Sequence, residues 1–105
     1  MAYTIIWSYF AEDQLDQIFA FYEKETTPRI AKKLLKRLIN APNILVEDPF
    51  IGQIEELLKR REVDYRYLVV GNYKLIYSVQ ELHKFIKILD VFDTRQNPPK
   101  LKRNK

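Results

Sequence analysis

The sequence predicts an α+β fold in which a short N-terminal strand and an antiparallel helical hairpin pack on one face of a mainly antiparallel β-sheet. Three observations predict this class. The apolar residues repeat at helical spacing in the first half and alternate as in strands in the second half. Thr27-Pro28 divides the helical half into two helices, because Thr is a helix-capping residue and Pro is favoured at the first helical position. Gly71-Asn72 separates two β-like runs, which is the signal of a two-residue hairpin loop.

The helical half is predicted to hold a strand and two helices. Residues 3–7 are β-branched and aromatic, as short strands are. Ser8 can cap a first helix at about residues 11–25, whose apolar stripe consists of Ala11, Leu15, Ile18 and Tyr22. The second helix has an apolar face made of Ala31, Leu34, Leu35, Leu38, Ala41 and Leu45, and a cationic face made of Lys32, Lys33, Lys36 and Arg37. Pro42 predicts a kink or an early end, and the short link between the helices predicts that they pack as a hairpin.

The β half is predicted to contain a hairpin followed by a central strand. Pairing residues 65–70 with 73–79 across the Gly-Asn loop sorts the side chains onto two faces. The more apolar face, expected against the helices, holds Arg66, Leu68, Val70, Tyr73, Leu75, Tyr77 and Val79. The other face, expected to be open to solvent or to a partner, holds Tyr65, Tyr67, Val69, Lys74, Ile76 and Ser78. Residues 85–92 show little polar alternation and predict a buried strand, and residues 54–58 predict either a strand or a turn.

Length and composition limit the kinds of protein this chain can be. A chain of 105 residues fits a single domain, which we place at residues 1–97, followed by a basic tail at 98–105. The absence of cysteine excludes disulfides, thiolate metal sites and a cysteine nucleophile. The single histidine, His83, excludes zinc sites built on several histidines. We therefore expect no metal site and no cofactor.

Charge and targeting signals suggest where the chain acts. The formal net charge is +4 and the pI is near 9.3, which favours a polyanionic partner such as nucleic acid, the ribosome or an acidic protein. The first residues lack the pattern of a signal peptide, and no apolar run approaches the roughly 20 residues that a membrane helix needs. We expect a cytoplasmic protein with no membrane partner.

Three segments in the β half form an ordered pattern. They read YRYLVV from Tyr65, GNYKLIYSV from Gly71 and IKILDVFDTRQNP from Ile86. The front half adds IIWS, the run Asp13-Gln14-Leu15 and DPFIG. Over about residues 3–97 the chain thereby resembles the RelE/ParE superfamily of toxins. The resemblance implies the toxin of a type II toxin–antitoxin module, neutralised in a hetero-oligomer by a cognate antitoxin whose extended C-terminal segment wraps it.

The superfamily contains two activities, and a third outcome is open. ParE-like members inhibit DNA gyrase, whereas RelE-like members enter the ribosome and cleave mRNA. A degenerate member would retain antitoxin binding alone. The Val-Gly-Asn-Tyr hairpin and the Thr-Arg-Gln-Asn-Pro segment look more like the ParE side, which we favour.

A RelE-like ribonuclease would need groups that deprotonate the ribose 2′-OH, stabilise charge on phosphorus and protonate the leaving oxygen. The resemblance carries over two basic positions as catalytic candidates: Lys74 in the second hairpin strand and Arg95 after the last strand. The Tyr or His that relatives carry near the C-terminus is missing, and Asp93 stands where many of them have His.

Other residues are candidates for binding the target or a nucleic acid: Arg61, Tyr65, Arg66, Tyr67 and Gln96. Tyr65 and Tyr67 could stack on bases, although Tyr is also common on half-buried strands. Arg66 has an alternative structural role at the sheet edge, because it falls on the face that we expect to meet the helices. We expect the antitoxin to bind across the groove between the sheet and the helical hairpin.

Overall fold

The computed structural model describes residues 2–55 and 65–95. Its elements are β1 (Thr4–Trp7), α1 (Tyr9–Glu25), α2 (Pro28–Asn40), a 3₁₀ helix (Ala41–Val46), β2 (Gln53–Ile54), β3 (Tyr65–Val70), β4 (Tyr73–Gln80) and β5 (Phe85–Asp93). The candidates Arg61 and Gln96 and the proposed tail at 98–105 lie outside the described residues, as does most of the predicted element at 54–58.

Both helices are capped by the predicted residues, although α1 begins at Tyr9, two residues before its expected start. Ser8 precedes α1, and its hydroxyl accepts a hydrogen bond from the Ala11 N–H at 3.0 Å. Thr27 caps α2 in the same way, with Pro28 at the first helical position. The α-helix ends at Asn40 and the chain continues as a 3₁₀ helix, because Pro42 has no N–H to continue the α-helical pattern.

The five strands form one sheet in the order β1-β5-β4-β3-β2. The hairpin register is the predicted one, with Val70 opposite Tyr73 and Leu68 opposite Leu75. Gly71 opens the loop with φ of +59°, which glycine adopts without the steric penalty of a Cβ atom. β5 pairs antiparallel with β4 and parallel with β1, so the sheet is mixed and mainly antiparallel. The predicted α+β fold class is confirmed.

The main core lies between the two helices and one face of the sheet. Ala11 and Leu15 of α1 and Leu38 of α2 are buried there against side chains of β4 and β5. The sheet contributes Leu75, Tyr77, Ile86, Ile88 and Val91, all 0% exposed. A bulge at Leu89, where the register shifts between Ile76 and Tyr77 of β4, lets both ends of β5 keep their apolar side chains on this face.

The opposite face of the sheet is more closed than the sequence predicts. We expected it to be open, and this is wrong for Ile76 and Ser78, which are 1% and 4% exposed. Strand alternation places the side chains on the predicted face, but Phe92 and Asp90 of the interior strand β5 are buried there as well. Tyr65 and Tyr67 pack against Ile76 and Phe92 and are half-buried, and Val69 remains exposed.

Candidate functional site

Lys74 lies on this second face in a closed arrangement of three side chains. Its Nζ atom is 2.9 Å from Oε1 of Glu55 and 4.0 Å from the centre of the Tyr67 ring. The Glu55 side chain is 3% exposed and that of Lys74 is 23% exposed. The Tyr67 hydroxyl donates a hydrogen bond to Gln53 Oε1. The cation is therefore held by a buried carboxylate and an aromatic ring, and its charge is largely balanced within the protein.

Arg66 braces the segment that leads into β2. Its Nη1 donates to the Gly52 carbonyl at 2.9 Å and to the Phe50 carbonyl at 3.3 Å, and its guanidinium lies 5.3 Å from the centre of the Phe50 ring. These contacts agree with the structural alternative for this residue, although the acceptors are loop carbonyls instead of a helix end or a carboxylate. Binding of a target by Arg66 stays a prediction.

Tyr77 fastens the same segment from inside the core. Its hydroxyl donates to the Pro49 carbonyl and accepts from the Gly52 N–H, both at 2.9 Å. Burial raises the pKa of the Tyr77 hydroxyl. Because Glu55 follows closely after Gly52, the hydroxyl and Arg66 together fix the segment that delivers the Glu55 carboxylate to Lys74.

Arg95 forms a two-point ion pair just beyond the end of β5. Its Nε donates to Asp93 Oδ1 at 2.9 Å and its Nη2 to Asp93 Oδ2. The hydrogen bonds from the guanidinium hold the pKa of Asp93 below its usual range, and the same pairing raises the pKa of Arg95. Asp93 thus binds Arg95 as an anion.

The two catalytic candidates lie on different sides of the sheet. Asp93, which holds Arg95, is the register partner of Tyr73, so both belong to the helix-side face. Lys74 is the next residue after Tyr73 and points to the opposite face. The structure therefore does not bring Lys74 and Arg95 together around one phosphate-sized site.

A groove runs along the edge where the helical hairpin meets the ends of β4 and β5. One part encloses about 350 Å³ and is lined by Gln14, Gln17, Ile18, Phe21, Tyr22, Tyr73, Val91, Phe92, Asp93 and Arg95. A second part of about 260 Å³ continues past Tyr22 and Tyr73 toward Ile30 and the hairpin loop. Burial of the Tyr73 hydroxyl and its hydrogen bond with Tyr22 raise the pKa of Tyr73. Phe21 and Ile30 are 57% and 51% exposed, so the groove presents apolar surface to a partner.

Comparison with known families supplies the deciding observation. A family model described as the ParE toxin of the type II toxin–antitoxin system parDE matches residues 5–98. The chain belongs to the ParE toxin family. It is therefore a toxin of a type II toxin–antitoxin system and a member of the RelE/ParE superfamily, as its sequence pattern predicts. A search of curated proteins by sequence finds no match.

Solved structures show the same fold as this ParE toxin. A chromosomal ParDE system from P. aeruginosa aligns with a TM-score of 0.72 at 19% identity, covering 88% of this chain and 96% of the other. The archaeal RelE–RelB complex from Pyrococcus horikoshii aligns with a TM-score of 0.62 at 20% identity, covering 92% and 100%. The RelBE2 complex from Mycobacterium tuberculosis gives 0.58 at 23% identity, covering 89% and 99%. At these identities the likeness establishes the fold.

The sequence identified the candidate cationic residues of this ParE toxin, but it did not identify the groups that pair with them. Glu55 lies 19 residues before Lys74, and nothing in its local sequence marks it as a buried carboxylate. Tyr22 could have been noticed as the one stripe residue of α1 with a hydroxyl, which places a polar group in the groove. Within the described ranges, no group of three His, Asp or Glu side chains is placed to hold a metal ion. The helices of the described chain are too short or too polar to span a membrane.

The ion pair between Asp93 and Arg95 predicts the titration of the carboxyl group. In an NMR pH titration, the side-chain carbonyl carbon of Asp93 should show a midpoint below about 4, the usual value for Asp. Because the folded-state pKa is depressed, the pair stabilises the protein above the unfolded-state pKa, and this contribution is lost as the pH falls through the folded-state value. In Arg95→Gln the midpoint should rise, since the largest cause of the shift is removed. An unchanged midpoint in that variant would contradict the assignment.

Proposed function

We propose that this toxin inhibits growth by acting on DNA gyrase in the cytoplasm and that a cognate antitoxin holds it inactive. The observation that carries the proposal is the separation of Lys74 from Arg95, each already paired with a carboxylate. A ribonuclease without a metal needs cations that converge on one phosphate and are not neutralised by the protein itself. The match to the ParE family model supports the same choice.

The groove between α1 and the ends of β4 and β5 supports the antitoxin as a partner. A disordered segment that folds on binding must bury apolar side chains to offset the entropy that it loses. Ile18 and Phe21 offer such surface in the groove, and Arg37 lies along it as a cationic group. An acidic antitoxin segment with apolar anchors fits this combination, and it should associate faster at low salt.

The test compares two purified activities across matched variants. Wild-type toxin should block supercoiling of a relaxed plasmid by gyrase and should leave ribosome-bound mRNA intact in a primer-extension assay. Lys74→Ala and Arg95→Ala should retain gyrase inhibition, since neither cation performs a chemical step in this mechanism. Circular dichroism of each variant controls for folding.

Two results would contradict the proposal, and each would support one of the alternative functions. Cleavage of ribosome-bound mRNA by the wild type, lost in a folded Lys74→Ala or Arg95→Ala variant, would establish the RelE-like alternative. Induced expression without any growth defect would favour the degenerate alternative that retains antitoxin binding alone. Co-expression of an antitoxin encoded beside the toxin should restore growth whether the toxin inhibits gyrase or cleaves mRNA.

A further inference from the structure

The two helices of the hairpin carry opposite charge. α2 contains five cationic residues and no acidic one: Arg29, Lys32, Lys33, Lys36 and Arg37. α1 contains five acidic residues and one lysine: Glu12, Asp13, Asp16, Glu23, Glu25 and Lys24. All of these side chains are exposed. The outer surface of the hairpin is therefore divided into an acidic and a basic helix, a pattern that the net charge of +4 conceals.

The five cations of α2 form one continuous surface, which we call the α2 basic stripe. Counted from Arg29 they fall at positions i, i+3, i+4, i+7 and i+8, which is the spacing of one helical face. The opposite face of the helix is packed on the core through Ala31 and Leu38. The stripe therefore points away from the sheet and is separate from the groove, apart from Arg37 at its end.

Among the described residues, no acidic side chain balances the charges of the stripe. Within residues 2–55 and 65–95, none of its five cations forms an ion pair, with the acidic residues of α1 or with any other. Neighbouring cations such as Lys32 and Lys36 are four residues apart, and like charges at this spacing destabilise a helix. A polyanion bound along the stripe would remove this repulsion.

We propose that the α2 basic stripe binds the phosphate backbone of duplex DNA. The inference rests on the proposed function, because gyrase acts while it holds duplex DNA. The stripe contains no aromatic residue, whereas sites for single-stranded nucleic acids combine cations with aromatic side chains on which bases stack. A membrane-binding helix would need an exposed apolar face, but Ala31 and Leu38 of α2 are buried. The exposed apolar residues Ile30 and Ile39 are nine positions apart and lie on opposite sides of the helix. An antitoxin that folds on binding needs apolar anchors, which the groove supplies instead.

The proposal predicts how binding depends on salt. The observed affinity for B-DNA falls with a logarithmic slope of about −0.9 for each phosphate that is neutralised. If all five cations contact phosphates, the slope should be about −4.5, so that affinity falls about 500-fold between 50 and 200 mM salt. In the triple variant Lys32→Gln/Lys33→Gln/Lys36→Gln the slope should be about −1.8, with a loss of about 10-fold over the same range. Gln and Lys have similar helix propensities, so α2 should remain intact.

The experiment measures anisotropy of a short fluorescein-labelled duplex titrated with the toxin over a series of salt concentrations. The matched control is Lys24→Gln/Lys84→Asn/Lys87→Gln, which removes three exposed lysines outside α2 and has the same net charge as the stripe variant. Asn suits position 84 because the backbone there has φ of +58°. Tighter binding by the control than by the stripe variant is expected, and inhibition of gyrase should weaken in the stripe variant alone.

Three results would overturn the proposal. They are equal losses of affinity in the stripe and control variants, an unchanged salt slope in the stripe variant, and a stripe variant that binds DNA normally but no longer binds the antitoxin. Supercoiling by gyrase in the presence of wild-type toxin is scored separately. A wild type that binds DNA through the stripe without inhibiting gyrase would refute the proposed function while leaving the DNA-binding surface intact.

Discussion

Replacing Gly52 with alanine is expected to lower the free energy of unfolding by about 3 kcal/mol, near the upper end for overpacking a core. A Cβ atom at this position would lie 2.7 Å from Cε1 of Tyr77 and 2.8 Å from the backbone carbonyl oxygen of Tyr67, and it would also clash with the Tyr77 hydroxyl. Tyr77 is fully buried and the carbonyl belongs to β3, so neither neighbour can move without disturbing the sheet. Urea denaturation of the two purified proteins measures the difference.

The control for this substitution is Gly71→Asn in the hairpin loop. Asn tolerates the positive φ of that position, and the nearest atoms to an added Cβ belong to the Arg37 side chain at 3.5 Å or more. Its loss of stability should be much smaller than that of Gly52→Ala. Similar losses of unfolding free energy in both variants would mean that steric contact with Tyr77 does not restrict position 52 to glycine.

Shortening Leu38 to alanine is expected to cost about 3 kcal/mol of unfolding free energy. Leu38 is 0% exposed and packs in the cluster that joins α2 to Leu15 of α1 and to Leu75 and Val91 of the sheet. The substitution removes apolar contacts and leaves a cavity that these rigid neighbours cannot fill. Urea denaturation should show a lower midpoint with a similar slope.

Leu82→Ala is the matched control for the core substitution, because it makes the same chemical change at a side chain that is 86% exposed in the turn before β5. Its unfolding free energy should stay within about 0.5 kcal/mol of the wild type. If Leu38→Ala were equally mild, the helical hairpin would not depend on this cluster for its place on the sheet.

The elements of the fold were predictable because their signals are local. The capping residues Ser8 and Thr27 and the Gly71-Asn72 loop each act within a few residues, and each is found where the sequence placed it. Side-chain alternation then fixed the hairpin register and the face that meets the helices. These signals act through the backbone geometry of a few neighbouring residues, so a short stretch of sequence is enough to recognise them.

The candidate site was less predictable because its geometry depends on contacts between distant segments. Alternation showed that Lys74 lies away from the helices, but it could not show that Glu55 would meet it there. The side to which Asp93 draws Arg95 depends on how β5 pairs with β4. Closure of the second face depends on Phe92 and Asp90, whose burial follows from the position of β5 between β1 and β4. The carboxylate that pairs with Lys74 is close to it in space but distant in sequence, so the sequence alone does not reveal the pair.

The position of β5 has a consequence for how the toxin is made. This strand lies between β1 and β4 and supplies Ile86, Ile88 and Val91 to the core, yet it follows every other described strand in the chain. β1 has no neighbour in the sheet until β5 exists, since the two pair with each other across about 80 residues. A nascent chain that has not yet released residue 93 from the ribosome therefore cannot assemble this sheet. In the cell, a folded toxin therefore forms only after translation has passed residue 93.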